Sequence, residues 1–130
     1  MGNQNYLIDT NISIYYFGLV LSRDSVIFLD EIFKKTYYIS VINRIELLGC
    51  EGLNQNEYDA LETFTDRAIV FELEEAIIRE TIRIRRHFKI KLPDAIIAAT
   101  CIIYNCCLIT NNTKDFTKIE GLQTHSLELV

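Results

Sequence analysis

The run Tyr6-Leu7-Ile8 is apolar at every position and breaks off abruptly into Asp9-Thr10-Asn11. A strand buried on both faces carries such a run where a half-exposed strand would alternate, and burial on both faces is typical of parallel sheets covered by helices. The chain therefore needs other short apolar runs to pair with this one, and helical segments to cross between them. In open sheets of this kind ligands sit beyond the carboxyl ends of the strands, which puts Asp9 at the mouth. Taken alone, an acid after a strand is more often simply a helix cap, a role that Asp9 or Asn11 suits ahead of the helix that follows.

The required partners are present. From Asn11 an apolar stretch runs to Val20, Ser22 to Ser25 breaks it, and Val26, Ile27, Leu29, Ile32 and Phe33 return at helical spacing, so two successive helices are predicted. Tyr37, Tyr38 and Ile39 form a second strand, and Val41, Ile42, Ile45 and Leu48 a helix that carries Glu46 and stops at Gly49 and Gly52. Asn54 and Glu57 have the spacing of a capping box ahead of a helix through Tyr58, Leu61 and Phe64, and Ala68 to Phe71 reads as a third strand. Strands that alternate with helices imply a parallel sheet with helices on its faces.

Glu74 to Phe88 is amphipathic. At about 100° per residue, Ile77, Ile78, Ile82, Ile84 and Phe88 share one arc, Arg85 falls inside it, and Arg79, Arg83 and Arg86 form a stripe beside it. With Lys89 and Lys91 the segment gathers nearly half of the chain's 13 basic residues. That matters because the formal net charge is -5, so contact with a polyanion requires a local basic surface. The stripe suits an RNA backbone or a solvated helix face with Glu75 paired to Arg79, and Arg85 suits a protein partner or a snorkelling position.

Pro93 precedes Asp94, and Ala95 to Tyr104 is small or apolar all round, as in a buried helix. Asp94 thus falls in a first turn, where unpaired N–H groups favour its ionised form. Ala98, Cys101 and Asn105 follow it on one face, and their small side chains predict an open groove above the acid. Cys106 to Ile109 is the next strand, ending in the polar loop Thr110-Asn111-Asn112-Thr113-Lys114-Asp115-Phe116, and Leu122 to Leu129 is expected to close the sheet as an edge strand.

With 130 residues and 49% hydrophobic content, one domain over residues 1–130 is expected. Charges interrupt every apolar run, no basic region with an apolar segment opens the chain, and the Met1-Gly2 start lacks the hydroxyl residue of a myristoylation signal. These features predict a cytoplasmic protein without a membrane association. Cys50, Cys101, Cys106 and Cys107 lack zinc-ligand spacing and are expected to be reduced core thiols.

Four segments together resemble the PIN domain family, and more narrowly the VapC-type toxins of toxin–antitoxin pairs. They are Asp9-Thr10-Asn11 after an apolar strand, Glu46 within Ser40-Val41-Ile42-Asn43-Arg44-Ile45-Glu46-Leu47, Leu92-Pro93-Asp94-Ala95 opening an apolar helix, and Thr110 to Phe116. The resemblance spans nearly the whole chain and keeps all four acidic positions. It implies a PIN-like three-layer α/β/α fold with a central, mainly parallel sheet of about four to five strands. It implies also a Mg2+- or Mn2+-dependent endoribonuclease, dimeric and neutralised by a cognate antitoxin.

By the same resemblance Asp9 is the central metal ligand, Asp94 and Asp115 flank it directly or through water, and Glu46 is a ligand or base. Hard divalent cations favour such oxygen ligands. Asn11, Thr110 and Asn112 orient those ligands or contact phosphate, since neutral groups add no charge. Two other acid-and-metal chemistries fit less well. A phosphoacceptor domain would need a lone lysine after a later strand, and an aspartyl phosphatase commonly has a second acid where Asn11 stands. A PIN-like module that binds nucleic acid or protein with little turnover is the main alternative.

Overall fold

The structure, a computed structural model, describes residues 4–130; the Met1-Gly2 start lies outside the described residues. The chain begins β1 (Asn5–Ile8), α1 (Thr10–Phe17), α2 (Arg23–Lys34), β2 (Tyr38–Ser40), α3 (Val41–Leu48), α4 (Gln55–Arg67) and β3 (Ile69–Phe71). It continues with α5 (Glu75–His87), α6 (Leu92–Tyr104), β4 (Cys106–Ile109), the short α7 (Thr113–Phe116) and β5 (Gln123–His125). The five strands form one sheet in the order β3-β2-β1-β4-β5, with every neighbouring pair parallel.

The absence of alternation in β1 and β4 is explained by what covers them. Leu7 and Leu108 are in register and join the core built with Ile77 and Ile84 of α5, Ala95 to Ala99 of α6, and Phe116. Their neighbours Ile8 and Ile109 point to the other face, into a core with Ile12, Leu29, Leu47, Leu61 and Phe64 from α1 to α4. All four strand residues are fully buried, so each layer of helices shields one side of the sheet. The result is the three-layer α/β/α arrangement.

Chain order reverses beside β1: the first half of the protein builds outward to β2 and β3, and the second returns to the opposite side with β4 and β5. This opens a crevice between the carboxyl ends of β1 and β4, the usual location of ligands in such sheets.

Local signals act as the side chains dictate. Asn54 accepts the Glu57 N–H at 2.8 Å while Glu57 accepts the Asn54 N–H at 3.0 Å, completing the capping box of α4. Gly49 is the C-cap of α3, where a Cβ would lie 2.7 Å from the Ile45 carbonyl oxygen, so a side chain is excluded at this turn. β5 is shorter than the alternating stretch suggests, and Leu129 instead makes an isolated antiparallel bridge to Leu21.

Three expectations are corrected. The small face of α6 is not an open groove: Ala98 and Cys101 are buried in the core with Leu7 and Leu108, so the small side chains permit close packing on the sheet, and Asn105 is the left-handed C-cap at φ 54°. On α5 the buried stripe is Ile77, Thr81 and Ile84, whereas Ile82 is 55% exposed and Arg85 is exposed too. The contact with α6 is narrower than the arc of isoleucines, and Thr81 occupies it by donating its hydroxyl to the Ile77 carbonyl at 2.7 Å. Cys101, Cys106 and Cys107 are buried free thiols, but Cys50 is exposed beyond the end of α3. Among the described residues no helix is long and apolar enough to cross a membrane.

Candidate active site

Asp9 leaves β1 and caps α1, so the two roles open to it in the sequence coincide. Its backbone is extended (φ -69°, ψ 153°), its N–H donates to the Ile109 carbonyl at 3.0 Å, and Oδ1 accepts the Thr10 N–H at 2.9 Å. Oδ2 accepts the hydroxyl of Thr110, at the end of β4, at 2.7 Å. The carboxyl is thereby fixed across the crevice and only 7% exposed. Burial raises its pKa, the Thr110 and Thr10 hydrogen bonds oppose the rise, and the Glu46 charge adds to it.

Glu46 arrives from α3 through a relay of neutral groups. Asn43 is fully buried and accepts the Ser40 N–H through Oδ1 at 2.8 Å, and its Nδ2 donates to the Thr10 hydroxyl at 3.0 Å. The Thr10 hydroxyl in turn donates to Glu46 Oε1 at 2.5 Å. One turn of helix separates Asn43 from Glu46, so both lie on the face of α3 turned to Thr10.

Asp94 is half-buried in the first turn of α6, behind Pro93. Its pKa is pushed up from the ordinary 3.8 to about 6, first by burial and then by the charges of Asp9, Asp115 and Glu46, with Lys91 opposing. The other three acids thus all lie within electrostatic reach of Asp94. They do not all line one cavity. Asp9, Glu46 and Asp94 line an open pocket of about 340 Å³, together with Thr10, Asn11, Lys91, Pro93 and Asn112. Asp115 stands on α7 beside it, accepting Asn112 Nδ2 at 3.2 Å, and faces a neighbouring basic hollow. Asn112 is itself held by its N–H, which donates to the Thr110 hydroxyl at 3.0 Å.

The arginine stripe stays away from this pocket. Arg79 pairs with Glu75 at 2.9 Å, as the solvated-face alternative required, and Arg83 pairs with Glu80. Arg86 is exposed, and Arg85 lines the hollow beside Asp115.

Among the described residues no group of three or more His, Cys, Asp or Glu side chains is close enough to grip a metal ion together. The donor set nonetheless fits a hydrated hard cation. Mg2+ is usually bound through one or two carboxylates and keeps several waters, and this mouth offers carboxylates and neutral oxygens with no sulfur or imidazole lining it. Burial first and then the neighbouring carboxylates raise Asp94, and a divalent cation would offset the charge of those neighbours.

The model of the PIN domain family matches residues 6–122. The chain belongs to the PIN domain family. Among solved structures, this PIN domain matches a chain of a toxin–antitoxin complex from Klebsiella pneumoniae with 30% identity and a TM-score of 0.74, over 91% of this chain and 95% of that one. A chain of VapBC2 from Rickettsia felis, bound to a DNA fragment from its promoter, matches with 25% identity and a TM-score of 0.79, over 95% and 98%. A chain of VapBC-1 from nontypeable Haemophilus influenzae matches with 26% identity and a TM-score of 0.76, again over 95% and 98%. Comparison with curated proteins gave no match.

Sequence reasoning did not single out Thr10 as the bridge between Asn43 and Glu46, nor Asn43 itself. A signal existed for the second: Ser40 and Asn43 have capping-box spacing, and Asn43 lies one turn before Glu46.

Proposed function

We propose that this chain is a Mg2+- or Mn2+-dependent endoribonuclease and the toxin of a toxin–antitoxin pair, formed as one PIN domain over residues 1–130. The observation that carries the proposal is the meeting of Asp9, Glu46 and Asp94 around one open pocket at the β1–β4 switch point, with Asp115 in electrostatic reach. Asp9 and Asp94 would hold the metal, with Glu46 and Asp115 acting directly or through water. When bound, such an ion acidifies its water ligands and neutralises charge on phosphate oxygens.

The protein groups have separable tasks. Thr110 and the Thr10 N–H fix the Asp9 carboxyl and limit its proton affinity. Thr10 occupies one oxygen of Glu46 and leaves Oε2 to accept a proton at the pocket. Asn112 steadies Asp115, and Asn11 stands exposed at the rim, where its amide suits a phosphate oxygen. Arg79, Arg83 and Arg86 lie outside the acid pocket on an exposed face of α5.

A cognate antitoxin partner is supported by the relatives, whose structures are described as toxin–antitoxin and VapBC complexes. The homodimer follows from family resemblance, and a cytoplasmic location suits both an RNA substrate and unpaired cysteines. One observation favours the alternative of a binding module with little turnover, namely that no three acids converge tightly among the described residues. Incubation of a structured RNA panel with Mg2+, Mn2+ or chelator separates the two. The nuclease cuts only with divalent cation, and Asp9→Asn abolishes the cutting; a chain that binds the panel but leaves it intact with either metal is a binding module.

A further inference from the structure

We propose that the basic hollow beside Asp115 is the track for the single-stranded RNA backbone that flanks the scissile phosphate; this rests on the nuclease function proposed above. The hollow measures about 580 Å³ and is lined by Arg85, Lys89, Lys91, Lys114 and Lys118, with Asp115 as its one acid. Five of the chain's 13 basic residues thus meet in one place on a protein of net charge -5.

Three features point to a polyanion. Among the described residues none of the five cations forms an ion pair, whereas Lys34, Arg79 and Arg83 each have an acidic neighbour. Like charges left together repel, and the last turn of α5 answers only part of that charge through its carbonyl ends. The hollow is also built. Buried Ile90 anchors the link that carries Lys89 and Lys91, and Lys118 ties the opposite wall to this link by donating to the Lys89 carbonyl. Finally, the hollow is continuous with the acid pocket, because Lys91 lines both.

An RNA strand whose scissile phosphate faces Asp9 and Asp94 therefore has a cationic channel along which its neighbouring phosphates run, between α5 and α7. Phosphate contacts of this kind hold register and carry no base information. The hollow fixes where the strand lies, and the target sequence is read elsewhere.

The test is salt-dependent binding of labelled oligouridylate to the parent chain in chelator, where no cutting occurs. Arg85→Gln/Lys114→Gln is compared with Lys34→Gln/Lys35→Gln, which removes the same charge at the end of α2, beside the amino ends of β1 and β2. Each single-strand phosphate contact contributes a slope of about 0.7 in log affinity against log salt, so the hollow pair should flatten the slope by about 1.4 and weaken binding at least 5-fold, while the control pair does neither. Equal effects of the two pairs, an unchanged slope for the hollow pair, or polyglutamate bound as tightly as oligouridylate would overturn the assignment, the last by making the hollow a site for an acidic peptide. Divalent-dependent cutting by the parent is scored separately. Cutting without a slope change removes the track and leaves the nuclease; a slope change without cutting keeps a nucleic-acid track and removes the nuclease.

Discussion

Replacing Asp94 by Asn should stabilise the metal-free protein at neutral pH. The carboxyl titrates at about 6 in the folded chain against an ordinary 3.8, so its ionisation opposes folding. The full difference corresponds to about 3 kcal/mol, but the side chain is half-exposed, so solvent offsets much of the burial cost and screens the repulsion from Asp9, Asp115 and Glu46, which lowers the expected effect to about 1 kcal/mol. The sign follows from proton binding. The folded state holds the proton more tightly, so the parent loses stability as pH rises from 3.8 through about 6 and is level above that. The uncharged Asn variant escapes that loss. In chelator at pH 7.5 Asp94→Asn should melt about 3 °C above the parent, and the advantage should vanish near pH 4. Millimolar Mn2+ should then favour the parent, which alone retains both carboxylates. A variant that melts below the parent at pH 7.5, or that keeps its advantage at pH 4, would refute the claim that burial and the neighbouring acids oppose the ionisation of Asp94.

Other substitutions probe the supporting groups. Thr110→Val removes the hydroxyl that most strongly lowers the Asp9 pKa, so the acid limb of cleavage should move to higher pH in a profile of kcat/KM. Thr10→Val leaves Asn43 Nδ2 buried without its acceptor, which should cost about 1–3 kcal/mol in urea unfolding; freeing Glu46 should lower kcat more than it changes KM. Asp9→Ala strands the Thr110 hydroxyl and the Thr10 N–H, and should melt below Asp9→Asn while both fail to cut RNA.

What the sequence made legible was what depends on one residue and its immediate periodicity. Leu7 and Ile8 announced a strand buried on both faces because each fills a different core, and Asn54 with Glu57 marked a helix start because the cap is local. Asp9, Glu46 and Asp94 were also legible as pocket residues, since each stands at the start of, or within, a helix leaving the mouth. Properties set by neighbours across the fold were not. The same small residues of α6 serve an open groove or a close contact, and only the sheet lying against Ala98 and Cys101 decides. Ile82, expected in the apolar arc, is exposed, and the buried stripe runs through Thr81 between Ile77 and Ile84. Arg85 reads as part of an apolar arc until the link and α7 bring Lys89, Lys91, Lys114 and Lys118 around it. The Thr10 relay joins residues from two helices whose contact no local pattern encodes.

The proposed nuclease depends on a divalent cation at the mouth between β1 and β4. Anomalous diffraction from crystals soaked in Mn2+ tests it most directly. The expected result is a peak within ligand distance of Asp9 and Asp94 oxygens that disappears in Asp9→Asn. A parent crystal with no peak at this mouth in millimolar Mn2+, or a peak that persists unchanged in the variant, would contradict it.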